Sequence, residues 1–418
     1  MQTKLDKAAY AALLFIPIAI VAHWRVGIIA ILLLAILTIA RMIARRQWGN
    51  PSLSKSQIVC LLTMMLFWLL YVFSALYSTN HHEGWSSVST KLPFLLLPLL
   101  CLLADTSHLT RQRINAVFYT LIAALLLRFA ACLVVDAVKY LGGTPFAQLK
   151  DWQLDPLGLH HNYLALYITT AFAFIYCECL RLWSQASRRW SISILAASAA
   201  LLAYLLISAS RSGIVITALL GILILVHQTF FRHRWKLSLL TALVIVALTA
   251  GAYLVKPDLF IRFTSIFSEM AAGRLGEDRF VLIPYGLQTA EGHWLLGHGS
   301  GDYMDALMQT YEKNNFAKGL ANHYDAHNQY IETLLETGVI GLVIMMLMLL
   351  LPAVLALVKT RKPDTDHLRI SLCLLTFVLM ASIFFESTLD RQMGVQFVAI
   401  AYCLLALSLP PSRKRQQQ

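Results

Sequence analysis

The sequence predicts an all-α, polytopic membrane protein, and three observations carry that expectation. Hydrophobic residues make up 58% of the 418 and the mean hydropathy is +0.65. Charged residues make up only 13%, roughly half of the ~25% usual in soluble domains. The apolar residues gather into runs near the ~20 residues that a bilayer span needs. One aqueous core cannot hide so much apolar side chain, which excludes a soluble enzyme, a disordered chain and a disulfide scaffold. Strands of an outer-membrane barrel would alternate polar and apolar, and these runs do not.

Taken in order, about twelve transmembrane helices are expected, at 8–23, 26–43, 58–77, 91–104, 114–138, 163–183, 191–208, 213–230, 237–255, 335–358, 370–387 and 393–409. The first run follows Lys4 and Lys7 as a signal peptide would. No small-residue cleavage site precedes His23-Trp24-Arg25, however, and a second run follows at once, so it is read as an anchor. Basic residues then alternate sides. With the N-terminus inside, the inner segments hold Arg41, Arg45, Arg46, Arg188, Arg189, Arg232 and the basic tail, and both termini are cytoplasmic. The excess of 34 Lys and Arg over 22 Asp and Glu is thus a matter of loop placement, and no nucleic-acid partner is expected.

One segment breaks the short-loop rhythm. Three parts follow: 1–255 with transmembrane helices 1–9, 256–334 as an outer loop domain containing short helices, and 335–418 with helices 10–12 and a basic cytoplasmic tail. Loops of that length without a function are rare, and Phe280, Ile283, Tyr285 and Leu287 carry helical spacing within it. The inner loops are too short for a catalytic domain, which directs any chemistry to the outer surface. The seven cysteines lie in or beside apolar runs, and Cys177-Glu178-Cys179 lacks a second ligand pair, so neither disulfides nor a zinc site is expected.

The candidate chemistry is as follows. Arg211, in Ser210-Arg211-Ser212-Gly213, sits at a hydrocarbon edge. It is either a snorkelling interface marker or an anion clamp, since a guanidinium fork fits phosphate oxygens in pairs. Arg279, after Glu277-Asp278, is either a surface ion pair at a helix start or a second phosphate-binding arginine. His323 and His327 are four apart and would share a helical face. The intervening residues are not those of a zinc-protease motif and no third ligand is evident, so no metal is expected. His327 is expected at a helix N-terminus, where imidazolium is disfavoured and a neutral base is available. A histidine idle at a wet interface is the alternative.

Weaker candidates complete the set. Arg128 falls mid-span, where a charge is functional by default, or it pairs with a carboxylate such as Asp136. His160-His161-Asn162 opens a span on the outer side. Glu386, Asp390 and Arg391 cluster at the turn between the last two spans, as a local ion pair or as groups that orient a catalytic residue. Gly297-His298-Gly299-Ser300-Gly301 follows no strand, which makes a nucleotide loop a poor reading.

Ser210-Arg211-Ser212-Gly213, Trp294-Leu295-Leu296-Gly297-His298-Gly299 and the run from His327-Asn328-Gln329-Tyr330-Ile331-Glu332 to Glu336-Thr337-Gly338-Val339-Ile340-Gly341 resemble the bacterial O-antigen ligase and O-antigen polymerase superfamily. The large outer loop before three final helices is similar as well. The resemblance implies a GT-C-like membrane glycosyltransferase of the inner (cytoplasmic) membrane, with a periplasmic active site. It implies an undecaprenyl-pyrophosphate-linked glycan as donor and lipid A–core as acceptor, both met in the lipid bilayer. It implies inverting transfer that completes lipopolysaccharide, with no cofactor and no metal. By matched position His327 is the base, and Arg211 and Arg279 bind the pyrophosphate. His323, Asn328, Asp390, Arg128 and His161 are supporting candidates. A polymerase, which would take a polyprenyl-linked glycan as acceptor, is the nearest alternative. A lipid-linked glycan transporter is more distant, because paired broken helices in two matching halves are not evident.

Overall fold

A computed structural model of the chain describes residues 4–144, 155–182, 187–208, 210–233, isolated positions between 235 and 253, 279–359 and 366–410. Most of these residues are helical, with no strand among them. Nine of the helices are long and apolar enough to cross a membrane, and ten if one bent pair counts as a single span. Those nine coincide with nine of the expected spans, whereas the expected span at 91–104 is one limb of the bent pair and that at 393–409 is a shorter apolar helix of 17 residues. The one at 237–255 falls mostly outside the described residues, as does the loop at 256–278.

The chain divides into two compact units, 1–124 with 282–418, and 125–281. In the first, α1 (Lys4–Ala22) and α2 (Trp24–Arg45) form a tight hairpin. Buried Asp6 closes one end of it by pairing with Arg45 and Arg41. On α2, Ile29, Ile36 and Ile43 are exposed at seven-residue intervals, the apolar stripe that a helix turns to lipid. α3 (Lys55–Tyr77) begins with a capping box, in which Ser54 and Gln57 satisfy each other's backbone N–H. α4 (His81–Thr90) and α5 (Pro93–Leu103) are bent by 41° where Lys91 and Leu92 intervene. The expected span at 91–104 is therefore the second limb of a bent pair. Proline at the first position of α5 supplies no N–H to continue the ladder.

α6 (Arg111–Leu141) follows, and the second unit begins within it. That unit is organised by α7 (His161–Leu182), which is buried along most of its length and packs against α8 (Arg188–Ile207) and α9 (Arg211–Val226). The last turn of α9 loosens into a π-type turn at His227–Phe231.

The first unit resumes in the loop region. α10 (Arg279–Thr289) contributes Leu282 and α11 (Tyr303–Lys313) contributes Tyr303, Leu307 and Tyr311 to a small core, completed by Ala290, Leu334 and Leu335. α12 (Ala317–Asn322) ends at His323 in a left-handed conformation. α13 (Gln329–Lys359) is two helical stretches meeting at Gly338, with φ 67° and ψ −167°. α14 (Asp366–Phe385), a 3₁₀ turn (Thr388–Asp390) and α15 (Gln392–Ser408) close the chain. α15 is buried on all sides and touches α1, α2, α3, α5, α13 and α14. Its apolarity all round, with no amphipathic stripe, is the signature of a central helix.

Candidate active site

His327 lies just before α13, in a left-handed conformation with φ 43°. The cap of α13 is Asn328, whose side-chain oxygen accepts from the backbone N–H groups of Tyr330 (2.9 Å) and Ile331 (3.3 Å). Asn328 thus has a structural role that its residue type explains. The His327 ring is held by two carboxylates. Nδ1 is 2.6 Å from Asp325 Oδ1 and 3.6 Å from Glu386 Oε1. The backbone N–H of His327 also donates to Asp325 Oδ1, at 2.8 Å. The Tyr324 ring stands 5.8 Å away.

The expected neutral imidazole is corrected by this geometry. Burial lowers the His327 pKa, but Asp325 and then Glu386 outweigh it and raise it to about 9. A helix dipole is worth about 0.3–1 kcal/mol, too little against two close carboxylates. Asp325 is held below the usual carboxylate range. Burial opposes ionisation there, and His327, its backbone N–H and the charge of Arg391 overcome it. The expected shared helical face of His323 and His327 is also corrected. Both are left-handed loop residues, at φ 47° and 43°. His323 is exposed and terminates α12.

A buried charge network lies at the start of α13. Lys91, fully buried, sits 3.3 Å from Asp390 Oδ1 and 3.7 Å from Glu336 Oε1. Its Nζ donates to Ser87 Oγ at 2.8 Å and lies 4.3 Å from the centre of the Tyr71 ring. Tyr71 donates to Glu336 Oε2 at 2.6 Å, and Tyr303 to Glu332 Oε1 at 2.9 Å. Among the described residues, Glu332, Glu336 and Asp390 form the one group whose carboxylates approach closely enough to share a metal ion. The lysine ammonium already supplies positive charge there.

The motif glycines have a common mechanical purpose. Gly297 packs its backbone on Leu335 and Glu336, and Gly338 packs on Leu295. Each has a positive φ, and a Cβ on either would strike backbone. Two hydrogen bonds lock the pair: His298 N–H to Leu335 O (2.7 Å) and Val339 N–H to Trp294 O (2.7 Å). Beyond them, the Ser300 and Gly301 N–H groups dock on the hydroxyls of Ser74 (2.7 Å) and Ser78 (3.0 Å). Asp302 accepts from the Thr79 and Asn80 N–H groups, at 2.7 and 2.8 Å. The Gly-rich segment is a clasp between loop and helix.

In the second unit, Arg211 is the first residue of α9. Ser210 caps the helix by accepting from the Gly213 N–H at 3.2 Å, and Ser212 donates to Asn162 at 3.2 Å. Gly213 lets α9 approach Ala165 and Leu205 where a Cβ would collide. The serines and glycine therefore build a seat, with half-buried Arg211 at its edge. His161 opens α7 beside His160, ring centres 4.3 Å apart. Arg128 is buried and makes a two-point contact with Asp155: Nε to Oδ2 at 2.6 Å and Nη2 to Oδ1 at 2.7 Å. The carboxylate partner expected for Arg128 is thus present, and it is Asp155. Tyr204 donates to the same carboxylate at 2.6 Å. Burial opposes ionisation of Asp155, but these donors hold its pKa low. Arg279 opens α10, and its side chain lies outside the described residues.

Sequence reasoning missed Lys91 and did not see Asp325 as the ring partner of His327. Glu386, which the sequence offered as a group that could orient a catalytic residue, does contact His327. Asp155 fell in an unremarkable loop.

The fold and this histidine–dicarboxylate corner define a multi-pass membrane protein with a polar site at the ends of its helices. Residues 196–346 match the family model described as O-Antigen ligase, and over that stretch the chain is similar to the O-antigen ligase superfamily. The matched stretch contains Arg211, Arg279 and His327. No curated protein matches the chain.

Proposed function

We propose that the protein is an O-antigen ligase, an inverting glycosyltransferase that moves a glycan from undecaprenyl pyrophosphate to a sugar hydroxyl of lipid A–core. The reaction takes place at the periplasmic face of the inner membrane, with both termini cytoplasmic. Residues 256–334 form the periplasmic loop domain between helices 1–9 and 10–12. The observation that carries the reading is His327 held between Asp325 and Glu386, inside the family-matched stretch.

The chemistry follows from charge. As the anomeric C–O bond breaks, negative charge grows on the leaving diphosphate, which Arg211 and Arg279 receive. Such contacts are worth about 10²–10³ in rate each where water is excluded. The acceptor hydroxyl attacks from the opposite face and inverts the centre. Its proton passes to His327. With Nδ1 engaged by Asp325, Nε2 is the nitrogen that takes it, and the two carboxylates stabilise the resulting imidazolium. General-base help contributes about 10²–10⁴. A ring with a pKa of about 9 is neutral in only about one molecule in a hundred at pH 7. The rate therefore climbs with pH towards 9.

The test is reconstitution of purified protein with polyprenyl-pyrophosphate glycan and lipid A–core, read by product gel. His327→Ala abolishes transfer while insertion persists. Near-normal product from that variant refutes the base assignment. Extension of a polyprenyl-linked glycan, with none attached to lipid A–core, makes the protein a polymerase instead.

A further inference from the structure

The buried lysine has no part in the mechanism above, yet its position is costly. Desolvating an ammonium costs several kcal/mol, and a well-packed apolar side chain is often as stabilising in such a place. Lys91 is nonetheless fully buried and gripped by Glu336, Ser87, Tyr71 and Asp390. The first three come from α13, α4 and α3, and they fix the ammonium in space. The fourth belongs to the turn that follows α14.

That turn is stiff. Thr388 N–H donates to Glu386 O (2.8 Å) and Asp390 N–H to Ser387 O (3.3 Å). Leu389 N–H donates to the side-chain oxygen of Gln329 at 2.6 Å. Gly394 packs directly on Thr388. Residues 386–390 therefore move as one piece, with Asp390 at the Lys91 end and Glu386 at the His327 end. We propose that Lys91 is a positioning residue for glycosyl transfer: by holding Asp390 it sets the turn that presses Glu386 against the imidazole of His327. This rests on the reading of His327 as the base.

A displacement of about 1 Å near a reacting group can cost about 10²-fold in rate, which sets the scale. The groups facing His327 are Asp325, Glu386 and the Tyr324 ring, with Arg391 acting on Asp325. When Glu386 withdraws, the ring loses one of its two carboxylates and becomes easier to deprotonate.

The experiment uses the full chain in detergent, with insertion and melting temperature verified. Turnover is measured from pH 6 to 10 for Lys91→Met, Lys91→Arg, Asp390→Asn, the Lys91→Met/Asp390→Asn pair, Glu386→Gln and His327→Ala. The expected result is a turnover loss of about 10- to 100-fold in Lys91→Met and in Asp390→Asn. In both, the midpoint of the pH profile falls towards that of Glu386→Gln. Lys91→Arg recovers most of the rate, and the double variant loses no more than its worse parent, because both changes cut one link. Wild-type turnover in Lys91→Met overturns the inference, and so does lost turnover with an unmoved midpoint, the result of a merely structural lysine. If Lys91→Met fails to insert, Asp390→Asn decides by the same midpoint. A fully active His327→Ala removes the base reading and this inference together. An inactive one with an unmoved Lys91→Met midpoint removes this inference alone.

Discussion

Substituting Asp325 by Asn keeps the size of the side chain and removes the charge that does most to hold a proton on His327. In the native protein the ring pKa of about 9 stands well above the ordinary 6.5. At about 1.4 kcal/mol per pH unit, that rise is worth about 3 kcal/mol of stability. The sign follows from a folded pKa above the unfolded one. The contribution is complete below about pH 6.5 and is lost as pH climbs through 9. Removing one close carboxylate shifts a partner by about one to three units, so Asp325→Asn should lower the midpoint of the turnover profile by at least about one unit. At pH 7 the neutral fraction then rises about tenfold, but each neutral ring is a weaker base and has lost its orienting partner. The assay is the reconstituted transfer reaction from pH 6 to 10, with melting temperature followed in parallel. Native protein should gain turnover and lose melting temperature between pH 7 and 9, and the variant should do both at lower pH. An unmoved midpoint in Asp325→Asn would refute the reasoning, since the charge at 2.6 Å could not then govern the titrating group.

Four further outcomes are expected. Arg211→Lys loses about 10²–10³ in transfer rate by product gel, because a point charge lacks the fork geometry for a diphosphate. Gly338→Ala, which forces a side chain into a left-handed position against the Leu295 backbone, lowers stability by about 1–3 kcal/mol, read as melting temperature in detergent. Asp155→Ala strands the buried Arg128 charge and costs about 3–5 kcal/mol, while the Arg128→Met/Asp155→Leu pair recovers most of it in the same melt. A chelator leaves the transfer rate unchanged, since the Lys91 ammonium stands among the carboxylates that a metal would need.

The spans were legible because a bilayer imposes one demand, length of apolar run, that each sequence segment answers by itself. Ser210 as cap and Gly213 as a point of close approach are equally local, and they read as such. The corner around His327 was not. Its partners come from two residues upstream and from a turn 59 residues downstream. A helix-terminus argument could therefore find the histidine but not its protonation. Lys91 was hidden for a related reason. In sequence it opens one span and looks like an interface lysine, and only the 41° bend between α4 and α5 turns it inward. Arg128 was recognised as a charge needing a partner, but Asp155 is chosen by loop geometry that spacing does not encode.

The latch formed by Gly297 and Gly338 makes two distant stretches a single inheritable part. A hybrid that borrows its outer loop from a relative inherits 294–299 but meets the host's 335–341, and any mismatch in backbone shape would fall on the hinge that aims the first two turns of α13. Exchange of acceptor or glycan preference between relatives should therefore succeed only when both stretches travel together, and grafts cut between them should yield protein that inserts but does not assemble its site.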